Sequence, residues 1–116
     1  RLPVLAGARV IFYLSCESWH DDLPLPAPRE PKWSAEKLDA EIGVYRAQIQ
    51  ARAVENGCWI VKANTAGCQH APLLGSHGRS GVIDPTGMVV SEASVFHEEM
   101  VVVEIDVDQA KAAYAK

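Results

Sequence analysis

The chain has 116 residues, 11 basic and 15 acidic side chains, and a formal net charge of −4. Hydrophobic residues make up 48% and charged residues 22%, the make-up of one folded globular domain rather than of a disordered or fibrous chain. The acidic balance excludes a phosphate-neutralising nucleic-acid binder, and no apolar run approaches the ~18 residues of a membrane span.

Arg1 to Ala6 reads as the tail of a helix closed by Gly7, a residue suited to a left-handed C-terminal cap. Arg9-Val10-Ile11-Phe12-Tyr13-Leu14 follows as a β-branched and aromatic run, nearly continuous in hydrophobicity, which predicts a strand buried on both faces. Ser15 to Trp33 reads as a long loop, proline-rich over 20–33, because Pro24, Pro26, Pro28 and Pro31 exclude regular helix and internal sheet pairing. Ser34 is placed to cap a helix, with Glu36 in its first turn and Trp33 and Leu38 at hydrophobic-staple positions. Leu38, Ile42, Tyr45, Ile49 and Ala53 form one apolar stripe, and Asn56-Gly57 supplies the stop.

Cys58 to Asn64 predicts a second strand, and Thr65 to about His77 a loop. Arg79 to Ile83 and Met88 to Glu92 read as a hairpin around Asp84-Pro85-Thr86-Gly87, where Pro presets φ and Gly closes the turn with a bulge. Glu99 to Ile105 predicts another strand, and Asp106 or Asp108 a cap for a last short helix through Tyr114. The order is helix tail, strand, helix, strand, hairpin, strand, helix, an α/β (α+β) pattern in a single domain over 1–116.

Several groups are candidates for chemistry. Cys16 follows a strand, in Ser15-Cys16-Glu17-Ser18-Trp19-His20, where Glu17 and His20 offer partners for a nucleophile; the alternative is an unreactive loop thiol. Cys58, Cys68, His70 and His77 lack the ligand spacing of a structural zinc site, so no metal is expected. Gly75 to Gly81 is glycine-rich but has no phosphate-loop lysine. Asp21-Asp22, Glu98-Glu99 and His97 read as solvated groups. Three cysteines without a C-x-x-C pair point to a reducing compartment, and cytoplasm is the expected location.

Taken in order, these segments resemble the nitrilase (carbon–nitrogen hydrolase) superfamily. Ala6 to Ser15 is similar to its Gly-Ala segment running into an apolar strand, and Tyr45 to Gly57 to its Arg-Ala-x-Glu-Asn helix. Gly75-Ser76-His77-Gly78-Arg79-Ser80 with Ile83-Asp84-Pro85-Thr86-Gly87 is similar to its Gly-x-Ser segment and Asp-Pro-x-Gly hairpin, and Glu104-Ile105-Asp106 to the end of its last strand. The resemblance implies half of a four-layer α-β-β-α sandwich. It implies an enzyme that cleaves amides, nitriles or N-carbamoyl compounds with a Glu base, an oxyanion-stabilising Lys and a Cys that forms a thioester, without a cofactor.

The family's Glu, Lys and Cys all precede the helix whose end Arg1 to Ala6 matches. The resemblance therefore implies no catalytic residue in this chain and no activity of the chain alone, with Cys16 the alternative nucleophile. It makes Cys16, Glu17, Ser18 and Trp19 a wall of the substrate pocket and gives Arg52, Glu55 and Asn64 structural roles near the site. It also implies a homo-oligomer formed through the 35–56 helix, where Ala47 and Ala51 permit close approach. A different class stays open: a non-catalytic binding module built on the half-fold, whose unpaired strand edge favours association.

Overall fold

The computed structural model describes residues 2–16, 18–20, 35–66, 74–76, 78–95 and 97–110. A short helix α1 (Leu2–Leu5) leads into β1 (Val10–Ser15). Its end is a two-bond cap: Ala8 N–H donates to Pro3 O (3.0 Å) and Gly7 N–H to Val4 O (2.9 Å), with Gly7 at φ +95°. Gly7 thus ends a helix, as its place before the apolar run predicts.

Helix α2 (Ala35–Asn56) carries the predicted stripe. Ile42, Ile49 and Ala53 are buried, and Tyr45 is half-buried. Its C-terminus repeats the cap of α1: Cys58 N–H donates to Ala53 O (3.2 Å) and Gly57 N–H to Val54 O (3.3 Å), with Gly57 at φ +57°. Asn56 adds a bond from Nδ2 to Arg52 O (2.7 Å). Ser34 of the expected N-terminal cap and Trp33 of the expected staple lie outside the described residues.

The main sheet has the order β1-β3-β5-β6, with β3 (Trp59–Asn64), β5 (Gly81–Ile83) and β6 (Val89–Glu92). β1 and β3 are parallel, with Val10 opposite Trp59 and Ser15 opposite Asn64. β3, β5 and β6 pair antiparallel. Side chains alternate across this sheet. On the helix face Ile49 and Ala53 of α2 meet Cys58, Ile60 and Ile83, joined by Val4 of α1. Each fully buried Ile contributes about 1.5–3 kcal/mol relative to an exposed one. On the opposite face Trp59 and Val82 pack with Ala110, Val103 and Ile105.

The β5–β6 hairpin closes as its residues predict. Gly87 N–H donates to Asp84 O (2.9 Å), Asp84 N–H donates to Met88 O (3.0 Å) and Gly87 has φ +86°, so the extra residue of the turn is Gly87; a separate register shift lies further along the strands, between Val82 and Ile83. Gln50 Nε2 of α2 donates to Gly87 O (2.7 Å) and ties the turn to the helix. The Asp84 carboxylate accepts from Thr86 N–H (2.8 Å), Thr86 Oγ1 (2.6 Å) and Met88 N–H (3.0 Å). Desolvation pushes this carboxyl up, but those bonds and a backbone bond from Gly87 outweigh it and hold it below the usual aspartate range. A depressed folded value stabilises the fold above the unfolded value near 3.9 and loses that contribution as pH falls through the folded one. Asp84→Asn is therefore expected to flatten the acid limb of stability below about pH 4, read as urea midpoint against pH. An unchanged acid limb overturns the assignment.

Four sequence expectations are corrected. Within the segment read as a loop from Ser15, residues Ser18–His20 form a strand, β2; within the loop read from Thr65, Leu74–Ser76 form β4. The two pair antiparallel, Trp19 opposite Gly75. Strands of three residues show no periodicity, and partners so distant in sequence leave no local turn signal. Glu99 to Ile105 is extended but in no sheet. Val101, Val103 and Ile105 turn inward while Met100 (85% exposed) and Val102 (79%) turn outward, so the run packs as a cover over Trp59 and Val82 rather than as a buried strand. β1 is an edge strand, with Phe12 71% and Leu14 78% exposed on the face away from α2, not buried on both faces. After Asp106 the chain makes a 3-10 turn, Val107–Gln109, capped by the Asp106 side chain, which accepts from Asp108 N–H; the remainder of the expected helix lies outside the described residues.

Candidate functional site

Because β1 and β3 are parallel and in register at Ser15 and Asn64, Cys16 and Thr65 leave the sheet side by side at its carboxyl end. In sheets with parallel strands this is the end where ligands bind. Cys16 is exposed and carries a free thiol, 3.8 Å from Thr65 Oγ1. β2 begins two residues after Cys16, so Ser18 and Trp19 belong to the small β2–β4 ribbon next to this rim in the chain. Glu17 lies outside the described residues, as do Asp21, Asp22, Cys68, His70 and His77.

The rim is braced from one side. Ser80 Oγ accepts from Asn64 N–H (3.0 Å) and donates to Asn64 O (3.2 Å). Asn64 Nδ2 donates to Gly78 O (3.0 Å), and Gly78 N–H donates to Thr65 O (3.1 Å). The segment 78–80 therefore holds both residues at the end of β3. Asn64 joins Cys16 at this rim. Arg52 and Glu55 do not: they pair with each other at 3.0 Å on the last turns of α2. That helix end connects directly to the start of β3, a strand's length of about 17 Å from the rim.

A charged cluster that sequence reading missed lies beneath α2. Glu92 accepts from Arg46 Nε (3.0 Å) and Nη2 (2.5 Å), a two-pronged pair, and from Arg79 Nη1 (3.3 Å). Asp39 stands 3.9 Å from Arg79 Nη2. Arg46, Arg79 and Glu92, with buried Lys62, line a cavity of about 20 Å³ between α2 and the sheet. Gly81 makes the approach of β6 possible, since a β-carbon there would lie 2.5 Å from Ser91 O. The one available sequence signal was Arg46 beside an apolar helical stripe, ordinarily the mark of a solvated flank.

Cys58 is fully buried in the core, and burial pushes its thiol above the ordinary value, which disfavours the thiolate. Among the described residues no group of three or more His, Cys, Asp or Glu converges as a metal site. His97 and Glu98 are exposed, and exposed Glu99 accepts from Ser94 N–H.

The sequence model of the carbon-nitrogen hydrolase family matches residues 42–115, a stretch that starts within the long helix and takes in β3 and the β5–β6 hairpin. The chain belongs to the carbon-nitrogen hydrolase family. It is similar to the Caenorhabditis elegans nitrilase and fragile histidine triad fusion protein NitFhit, 39% identical over 61 residues, which cover 53% of this chain and 14% of that protein. It is also similar to a Synechocystis deaminated glutathione amidase, 31% identical over 67 residues, 58% of this chain and 24% of that one. The matches thus span about a quarter or less of these two relatives. The solved carbon-nitrogen hydrolase of Helicobacter pylori G27 superposes on 93% of this chain and 35% of its own, with a TM-score of 0.74 at 21% identity, and so shares the fold. The mixed α+β sheet with α2 on one face is accordingly the nitrilase-superfamily arrangement.

Proposed function

We propose that this chain forms part of a hydrolase that cleaves amide, nitrile or N-carbamoyl carbon–nitrogen bonds through a cysteine thioester, and that Cys16, Glu17, Ser18 and Trp19 wall its substrate pocket. The supporting observation is the rim where Cys16 and Thr65 emerge together from parallel strands, in a chain of the carbon-nitrogen hydrolase family. In this reading the Glu base, the oxyanion-stabilising Lys and the nucleophilic Cys come from residues that precede Arg1 in the continuous protein. The base takes the thiol proton, the thiolate adds to the carbonyl or nitrile carbon, and the Lys stabilises the negative charge that develops there. An amide or N-carbamoyl compound then releases its amine or ammonia with the proton the base carries, whereas a nitrile first gives a thioimidate that must add one water before ammonia leaves; a further water hydrolyses the acyl-enzyme.

The open face of β1, with Phe12 and Leu14 exposed, is the surface on which the second sheet of a four-layer sandwich packs. Exposed Ala47, Ala51, Val44 and Val54 support a homo-oligomer through α2. The reading includes a reducing, cytoplasmic setting, which rests on three cysteines without a C-x-x-C pair. No helix among the described residues is long and apolar enough to cross a membrane.

The test is a hydrolysis screen with amides, nitriles and N-carbamoyl amines on the 116-residue chain and on the continuous protein, with its mass in solution measured alongside. The longer protein is expected to be active and oligomeric, and replacing its upstream strand-end cysteine is expected to abolish turnover. The 116-residue chain is expected to be inert. Turnover by the 116-residue chain that Cys16→Ser abolishes makes Cys16 the nucleophile and overturns the proposal. The same apolar face that suits a second sheet also suits a partner protein. An inert longer protein that binds a partner through β1 favours that second reading.

A further inference from the structure

Arg79 has φ +56°, and it is the non-glycine residue with a positive φ among the described residues. An L side chain adopts this left-handed backbone at a cost, and such outliers persist where surrounding contacts hold them. Here the contacts are visible. The guanidinium is held by Glu92 at 3.3 Å, Asp39 stands 3.9 Å away, and Arg79 N–H donates to Ser94 O (3.1 Å). The Glu92 side chain is 18% exposed and is also held by Arg46, whose Nη2 shares Oε2 with Arg79 while its Nε binds Oε1. The neighbours of Arg79 on either side, Gly78 and Ser80, are the residues whose bonds hold Asn64 and Thr65 at the rim.

We propose that Arg79 is a positioning residue: its ion pair with Glu92 holds the left-handed turn at 78–80, and that turn seats Asn64 and Thr65 against Cys16. The role assigned to the rim rests on the hydrolase reading above. The pinning does not, because it is a property of this chain in the absence of any substrate. Arg79 acts on the rim through Gly78 and Ser80. The arrangement also couples the rim to α2, since Arg46 and Asp39 belong to that helix.

The proposal separates the side chain's two effects. Alanine at 79 keeps the β-carbon, and so the strain, but loses the ion pair. Glycine at 79 loses both, and adopts the same φ freely. The test compares Arg79→Ala, Arg79→Gly and Glu92→Gln in the full 116-residue chain. Hydrogen exchange is read at the Asn64 and Gly78 amides, with Ile60 and Val82 as core controls. Alkylation of Cys16 by iodoacetamide is read by peptide mass spectrometry, which distinguishes it from Cys58 and Cys68.

Arg79→Ala and Glu92→Gln are expected to speed exchange at Asn64 and Gly78, and alkylation of Cys16, by about fivefold or more with the core controls unmoved. Arg79→Gly is expected to stay within about twofold of the parent chain, and adding Glu92→Gln to it changes nothing further at the rim. Should Arg79→Ala unfold the chain, the glycine variant alone and combined with Glu92→Gln still reads the coupling. Equal loosening in the alanine and glycine variants, or a further effect of Glu92→Gln on the glycine background, overturns the proposal. So does an unmoved rim in both Arg79→Ala and Glu92→Gln. None of these readouts needs an active enzyme, so failure here and failure of the hydrolase reading are distinguishable.

Discussion

Gly78→Ala is expected to lower the stability of the chain by about 3 kcal/mol, the sum of a left-handed β-carbon and a backbone collision. Gly78 is buried at φ +54°. A β-carbon built on it lies 2.3 Å from Val95 O and 2.7 Å from Ser94 O. Both obstacles are main chain, so no rotamer change relieves them. Either the 93–95 segment moves, breaking the Arg79 N–H bond to Ser94 O, or the 78–80 turn moves and releases Asn64 and Thr65. Gly7 supplies the control. Its φ is +95°, but nothing lies within 4 Å of an added β-carbon. Gly7→Ala therefore costs the conformational part alone, about 1 kcal/mol. Urea midpoints of the two variants check this, and equal losses overturn it by showing that the close approach of 78 to 95 carries no weight.

Trp59→Ala is expected to cost about 3–5 kcal/mol, the range for deleting a large buried aromatic. Trp59 is 5% exposed and anchors the face of the sheet opposite α2, against Val82, Ala110, Val103 and Ile105. Its indole Nε1 donates to Asp106 O (2.9 Å), which joins the sheet to the start of the 107–109 turn. Trp59→Phe keeps most of the apolar contact and forfeits that bond, a loss of about 1–2 kcal/mol. The difference separates packing from hydrogen bonding. Both variants are expected to raise exchange at the Ala110 amide, which donates to Val107 O (3.2 Å) in the turn that Asp106 caps. A phenylalanine variant as damaged as the alanine variant assigns the effect to the Asp106 bond instead of to the buried ring.

Several features are encoded within a few neighbouring residues. The α2 stripe repeats within the 3.6-residue period of one helix, and Gly7 and Gly57 terminate helices because their left-handed φ values complete caps between near neighbours. The Asp84–Gly87 turn carries its chemistry in four consecutive residues. The family likewise shows in the linear order of the long helix, the strand after it and the hairpin.

The rest depended on groups distant in sequence. Nothing near Glu92 announces that Arg46 and Arg79 will close on it, because the three meet only when α2 lies across the sheet. The pairing of Ser18–His20 with Leu74–Ser76 is set by where β1 and β3 end. Apolar content identified Phe12 and Leu14 as strand residues but not their exposure, which follows from the 103–110 segment packing over Trp59 and Val82 rather than over them. By itself, then, the sequence determined the long helix, the strands of the main sheet with their hairpin, the glycine caps at Gly7 and Gly57, and the family, since those follow from backbone preference and periodicity over a few neighbouring residues. The tertiary structure alone decided that Cys16, Asn64 and Thr65 share one rim and that a strained arginine braces it, because proximity between distant residues is set by sheet register and helix packing.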